Sequence, residues 1–210
     1  DHLFGELIRE LESRGRLSDT LVVVTSDHGE GLGDHGVWDH RNSLYDELLH
    51  VPLVIRGPGV PTGRVPHDVS TEGLAETVLR AAGWGPPPSM APSYDHHLIP
   101  VPEASRTIRS RLLPWDKGSQ ASIVADGRKW VFSERDGRTV LQCFDLAADP
   151  GEMHDIAATL PEDADTVRAT FARWDETLRA LAVGSGAGDA GISDAAHDAI
   201  RSIGYVGDDE

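Results

Sequence analysis

The sequence predicts an α/β fold followed by a small antiparallel sheet with a packed helix. The first part of the chain reads as helix, strand, loop, strand and helix, which is the order of an α/β protein. The segment "LVVVT" at 21–25 is β-branched or apolar throughout, which predicts a central strand of a parallel sheet, buried on both faces. Asp-Gly pairs between short alternating segments predict hairpins later in the chain.

The elements of the first part follow from apolar spacing and from turn residues. Residues 2–14 place apolar side chains on one face of a helix. A second buried strand is predicted within "VPLVIRGPG" at 51–59, where a Gly-Pro-Gly turn ends it. Residues 72–82 form another helix, with Ser70 or Thr71 as its N-cap.

A proline-rich stretch, "GWGPPPSMAPS" at 83–93, is unsuited to regular structure and divides the chain. Beyond it, "QASIVAD", "KWVFSE" and "TVLQCFDL" predict an antiparallel meander. A long helix is predicted over about 161–183. Its apolar stripe, expected to pack on the sheet, is Val167, Phe171, Trp174, Leu178 and Leu181. The sequence therefore predicts two domains, residues 1–85 and residues 86–210.

Composition narrows the classes of partner. The 210 residues carry a formal net charge of -16, which phosphate backbones and anionic membranes would repel, so we expect no nucleic acid partner. No apolar run approaches the ~20 residues that cross a bilayer. Cys143 is the single cysteine, which excludes an internal disulfide, and its place in "LQCFDL" predicts a core residue. Neither oligomeric state nor compartment follows, and cytoplasmic and extracytoplasmic locations both stay open.

The side chains best suited to bind a ligand lie where the first predicted strand ends. Asp27 and His28 follow "LVVVT" after a single residue, Ser26, and ligands of open α/β sheets bind beyond the carboxyl ends of strands. An adjacent carboxylate and imidazole suit a divalent cation, and Gly29 is expected to let the backbone turn sharply. The alternative is that Asp27 only caps a turn.

Two further histidines, His35 and His40, are candidates to reach the same pocket. Arg41, beside His40, adds a fixed cation whose donors suit an oxyanion such as sulfate or phosphate. The residues alone leave open the alternative that all of these are side chains of a surface loop.

Four stretches, in order along the chain, resemble the sulfatase family of the alkaline phosphatase superfamily. They are "SDTLVVVTSDHGEGLGDHG", "NSLYDELLHVPLVIRGPG", "CFDLAADPGEMHDIA" and "IRSIGYVG". The resemblance implies an alkaline-phosphatase-like mixed sheet sandwiched by helices, and it implies hydrolysis of sulfate esters. Residues 1–85 would be the C-terminal part of the catalytic α/β domain, and residues 86–210 a C-terminal α+β subdomain with the antiparallel sheet, the long helix and a tail.

The resemblance also implies roles for individual residues. Family members bind one divalent metal through two separate regions, and Asp27 and His28 match the second pair. Calcium is the expected ion, with manganese or zinc as alternatives because imidazole suits softer ions. The metal would act as a Lewis acid on a non-bridging oxygen of the ester. A basic residue of the region matching "WDHRNSLYDE" would contact the substrate oxyanion, with His40 the first candidate, Arg41 the second and His35 the third.

The chain departs from the family pattern in two respects. The nucleophile motif, Cys or Ser followed by x-Pro-x-Arg, has no match here, and neither has the first pair of metal-binding acids. We therefore expect a piece of a longer hydrolase, with little or no turnover by itself. The alternatives are a phosphodiesterase, phosphonate monoester hydrolase or phosphoethanolamine-type transferase of the same superfamily, or a non-catalytic binding relative.

Asp46 and Glu47, at the end of "WDHRNSLYDE", are expected to have a structural role and to help fix that loop.

Overall fold

The computed structural model describes residues 1–40, 43–65, 68–85, 107–112, 118–135 and 137–184. Its helices and strands are α1 (His2–Ser13), β1 (Val22–Thr25), β2 (Gly31–Leu32), β3 (Trp38–Asp39), α2 (Asp46–Leu49), β4 (Leu53–Arg56), α3 (Leu74–Ala81), β5 (Ile108–Leu112), β6 (Gly118–Ala125), β7 (Arg128–Arg135), β8 (Arg138–Asp145) and α4 (Pro161–Gly184). Contacts divide the chain into two compact units, Asp1–Val167 and Arg168–Glu210. The fold class, α/β with a small antiparallel sheet, is confirmed, and the domain division near residue 85 stays a prediction.

The first strand pairs with β4, and the two strands run antiparallel, with Val24 opposite Val54. Parallel pairing is absent from the sheets of the described residues, so the prediction of a parallel neighbour is wrong here. A short run rich in β-branched residues favours a strand, but it does not fix the direction of the neighbouring strand. Burial on both faces is wrong as well, because the side chains of Val24 and Val54 are 37% and 60% exposed.

A short hairpin, β2 and β3, lies between these strands where the sequence indicated only loop. Leu32 stands opposite Trp38, and a 3₁₀ turn joins the two strands. Gly33 and Gly36 have φ of 112° and 70°, a region that glycine enters without a steric penalty. The hairpin therefore returns the chain to His40 close to where it left at Glu30.

The four-stranded sheet has the order β5-β6-β7-β8, and every neighbouring pair is antiparallel. This confirms the meander predicted from the Asp-Gly pairs. Asp126 and Gly127 have φ of 50° and 74°, the two positive values that a type I′ turn requires. The first strand of the sheet, β5, was not predicted, because its sequence "IRSRL" carries two arginines and little apolar content.

The core of the antiparallel sheet is apolar and includes the single cysteine. Its buried hydrophobic side chains are Ile123, Trp130, Val131, Leu141, Cys143 and Phe144. Burial raises the pKa of the Cys143 thiol to about 11. The prediction that Cys143 is a core residue is confirmed.

The long helix was predicted over almost its observed length and is α4 in the structure. Phe171 is buried, and its ring lies 6.5 Å from that of Trp174. The side chains of Leu178 and Leu181, the end of the predicted stripe, lie outside the described residues. Within the part of the chain that the structure describes, no helix has both the length and the apolar character needed to cross a membrane.

Candidate metal and oxyanion site

The end of β1 is fixed by a close approach to α2. The Gly29 amide donates a hydrogen bond of 2.8 Å to the Leu48 carbonyl. A Cβ at Gly29 would lie 2.0 Å from the Glu47 carbonyl oxygen, far inside van der Waals contact. Gly29 was expected from the sequence to permit a sharp turn, but its φ is not in the left-handed region. The glycine is needed because two backbones meet there.

Asp27 and His28 lie side by side after this strand. His28 Nδ1 is 2.8 Å from the Gly29 carbonyl, and because a carbonyl only accepts, Nδ1 carries the proton. A metal-binding histidine is commonly held in this way, with the other ring nitrogen as the ligand atom. His28 Nε2 lies 3.8 Å from Asp27 Oδ2. Metal–ligand bonds of about 2.0–2.4 Å place two ligands of one ion about 3–4 Å apart, so the donor pair fits a divalent cation.

The structure brings His40 to the same place. The rings of His28 and His40 stack with centroids 4.3 Å apart and an angle of 19° between their planes. His40 Nδ1 lies 3.1 Å from Glu30 Oε2 and 3.1 Å from Asp39 Oδ1. Carboxylates accept, so Nδ1 is the protonated atom and Nε2 is the atom that can hold either a lone pair or a second proton.

Glu30 and Asp39 were not predicted from the sequence as site residues. Together with His40 they offer three ligand-type atoms within 4.8 Å of one another. Each is adjacent to a residue that was singled out, but neither spacing nor residue type indicated that the hairpin would place both carboxylates on one imidazole. We name Asp27, His28, Glu30, Asp39 and His40 the strand-end site.

His35 occupies a different environment, and Arg41 lies outside the described residues. His35 Nδ1 is 2.9 Å from Glu47 Oε1, its Nε2 is 3.1 Å from the Glu152 carbonyl, and its ring stacks on Tyr45. Burial alone would lower the pKa of His35, but the hydrogen bonds to Glu47 and to the Glu152 backbone, with the charges of both carboxylates, raise it overall. The substrate contacts assigned to His35 and Arg41 stay predictions.

The family profile described as Sulfatase matches residues 1–84. Arylsulfatase K of Bos taurus is 31% identical over 195 residues, covering 86% of this chain and 34% of the relative. Choline-sulfatase of Rhizobium meliloti is 31% identical over 185 residues, covering 83% of this chain and 35% of the relative. The chain belongs to the sulfatase family.

Two solved structures support the same fold. One, in complex with its substrate D-glucosamine-2-N,6-O-disulfate, has a TM-score of 0.63 at 24% identity and covers 84% of this chain and 37% of its own. Another, a Bacteroides fragilis protein described as a sulfatase, has a TM-score of 0.70 at 21% identity and covers 82% of this chain and 39% of its own.

This sulfatase-family chain spans about a third of the length of the curated relatives that it matches. A third relative differs in its named activity. The low-salt glycan biosynthesis sulfotransferase Agl7 of Haloferax volcanii is 44% identical over 85 residues, which are 38% of this chain and 21% of the relative. Sulfatase-family members use a divalent metal, and the strand-end site of this chain offers carboxylate and imidazole donors suited to one.

Proposed function

We propose that this chain supplies part of the metal site and the oxyanion contact of a sulfate ester hydrolase. The observation that carries the proposal is the pairing of Asp27 with His28 at the end of β1, with the His40 ring stacked on His28. An acid and an oriented imidazole beside a second imidazole, which two carboxylates hold, favour a reaction over binding alone.

Asp27 and His28 would hold the divalent cation, which supplies Lewis acid polarisation of a non-bridging ester oxygen when bound. Calcium is the ion expected from the family. His28 is a softer donor than a carboxylate or amide oxygen, which favours manganese or zinc over calcium. The other potential ligands of the strand-end site are the oxygen atoms of Asp27, Glu30 and Asp39, which suit calcium. The identity of the bound ion therefore tests whether the His28 imidazole determines metal preference.

His40 would contact the substrate oxyanion or the leaving oxygen through Nε2. Glu30 and Asp39 accept from Nδ1 and so fix the ring orientation, which leaves Nε2 as the atom that faces a ligand. An N–H at His40 Nε2 would donate to an oxyanion, and Arg41, the next residue, would offer a permanent cation. The nucleophile and the first pair of metal-binding acids have no match among these residues, so we expect the isolated chain to turn over little or no ester.

A second candidate reaction is sulfate transfer to an acceptor other than water. The sulfotransferase relative of Haloferax volcanii favours it, because the part of this chain that it matches is 44% identical. Phosphoester chemistry, as in phosphodiesterases, phosphonate monoester hydrolases or phosphoethanolamine-type transferases, is favoured by the imidazole at His28. A non-catalytic binding relative is the remaining alternative.

The test is an Asp27→Ala variant of the whole gene product that carries these residues. The readouts are bound metal per protein and hydrolysis of p-nitrophenyl sulfate and bis-p-nitrophenyl phosphate, followed by sulfated glucosamine as the first natural substrate class. Asp34→Asn is the matched control, because Asp34 lies in the same loop but outside the strand-end site.

We expect Asp27→Ala to lose both metal and sulfate ester hydrolysis, and Asp34→Asn to keep both. Phosphodiester turnover that exceeds sulfate ester turnover would transfer the assignment to the alternative hydrolases. Metal retention and full activity in Asp27→Ala would refute the proposed role of the strand-end site.

A further inference from the structure

A lysine of the four-stranded sheet is completely buried among acids from distant parts of the chain. Lys129, in β7, is 0% exposed, and its Nζ lies 2.7 Å from Asp46 Oδ1 and 2.8 Å from Glu152 Oε1. Lysine is almost never fully buried unless it is paired, because desolvating an ammonium is costly. We name Lys129, Asp46 and Glu152 the buried ion cluster. All three lie in the unit Asp1–Val167.

Glu152 connects this cluster to the backbone of α2. Its Oε2 accepts a hydrogen bond of 2.6 Å from the Asp46 amide, so it caps the first turn of a helix 106 residues away in sequence. Its Oε1 accepts no aligned hydrogen bond among the described residues and contacts Lys129 as a charge. The residue is 2% exposed and has a φ of 52°, unusual for a residue with a Cβ. Burial raises the pKa of Glu152, and Lys129 opposes that shift.

Two routes of direct contact lead from the buried ion cluster to the strand-end site. The first runs through α2, where Glu152 and Lys129 hold Asp46, and the Leu48 carbonyl of the same helix accepts from Gly29. Gly29 in turn is the residue whose carbonyl orients His28.

The second route runs through His35. The Glu152 carbonyl accepts from His35 Nε2, and Glu47 of α2 accepts from His35 Nδ1, so this imidazole is held from both sides. His35 is only 11% exposed and lies in the turn of the β2–β3 hairpin, which carries Asp39 and leads directly into His40. Movement of Glu152 would therefore reach both imidazoles of the strand-end site.

We propose that Lys129 and Glu152 are positioning residues for the strand-end site. They contact neither a metal nor a substrate, and they hold α2 and the β2–β3 hairpin where His28 and His40 can act together. The four-stranded sheet therefore supports the strand-end site through Lys129 of β7. The activity arm of the test rests on the proposed function, whereas the exchange arm does not.

The experiment compares Lys129→Met with Arg128→Met in the whole gene product. Arg128 is the neighbouring cation in β7, but its partner is Asp163 at the surface, so it is the matched control. Hydrogen exchange is followed by mass spectrometry in peptides spanning 28–49 and, as a reference, in peptides from β6 and β8. Divalent metal affinity, kcat and KM for a sulfate ester are measured on the same proteins.

We expect Lys129→Met to speed exchange selectively in residues 28–49 and to lower metal affinity and kcat by about 10–100-fold, the range typical of residues that support metal ligands. Arg128→Met should leave all three unchanged. Adding Glu152→Gln to Lys129→Met should move the values back towards wild type, because the unpaired buried charge of Glu152 is removed. General loss of stability would instead speed exchange in β6 and β8 as much as in residues 28–49.

Glu152→Gln alone provides the second test and decides the matter where Lys129→Met fails to fold. It keeps the side-chain volume and an acceptor for the Asp46 amide, and it removes only the charge. Exchange in residues 28–49 that equals the control, or that rises equally in β6 and β8, overturns the proposal. Absence of sulfate ester turnover in the wild-type protein refutes the proposed function instead, and the exchange result then decides positioning alone.

Discussion

Replacing Gly29 by alanine tests how tightly the strand-end site is built. The added Cβ would lie 2.0 Å from the Glu47 carbonyl oxygen, 2.9 Å from the Glu47 carbonyl carbon and 3.2 Å from Leu48 Cα. All three neighbours are backbone atoms, so no rotamer change relieves the clash. Separating the two segments breaks the Gly29–Leu48 hydrogen bond, worth about 1 kcal/mol, and adds strain of about 1–3 kcal/mol.

We therefore expect Gly29→Ala to lower the free energy of unfolding by about 2–4 kcal/mol in urea denaturation of the whole gene product. Gly63→Ala is the control, because nothing lies within 4 Å of a Cβ there and its φ is not left-handed. Metal affinity should fall with stability in the first variant only, since the Gly29 carbonyl orients His28. A Gly29→Ala protein as stable as the Gly63→Ala protein would refute the close approach of β1 and α2.

Three further predictions follow from burial and backbone geometry. The pKa of His35 is raised in the folded state. Its contribution to stability is therefore fully present below the pKa of the unfolded chain, about 6.5, and is lost as the pH rises through the higher pKa of the folded protein. The free-energy difference between wild type and His35→Gln should therefore be larger at pH 6 than at pH 8 in urea titrations, and a difference that grows with pH would contradict this sign. With a pKa of about 11 and no exposure, Cys143 should resist alkylation at pH 8 until denaturant is added, as judged by mass spectrometry of its peptide; rapid labelling of the native protein would place the thiol elsewhere. Gly137 has a φ of 71°, so Gly137→Ala should cost about 1 kcal/mol in the same urea assay relative to Gly63→Ala, and equal stabilities would exclude a left-handed residue in the β7–β8 turn.

The parts of the fold that depend on a few neighbouring residues could be predicted from the sequence. The turn at Asp126 and Gly127 was predictable because few residue pairs accept two consecutive positive φ values. The N-cap of the turn before α3 was also predictable, since the Ser70 hydroxyl accepts from the Glu72 amide in the usual way. The direction of β4 against β1 was not, because an apolar strand carries no record of which way its neighbour runs.

Part of the candidate site was likewise predictable from the sequence, and part was not. Asp27 and His28 are neighbours in the sequence, so their proximity and their position after an apolar strand were predictable. The stacking of His40 on His28 was anticipated only as a shared pocket, and the carboxylates of Glu30 and Asp39 were missed, because the β2–β3 hairpin that gathers them is only two residue pairs long.

The sequence by itself determined the family, the succession of helices and strands, and the residue types available for a metal and an oxyanion, because these depend on composition and on spacing along the chain. Only the tertiary structure decided that Gly29 is required by a close approach and that His35 is held by Glu47 and Glu152. It also decided that Lys129 lies buried between Asp46 and Glu152, although Lys129 is 83 residues and Glu152 is 106 residues from Asp46 along the chain. Such contacts depend on how distant segments pack, and no local pattern encodes them.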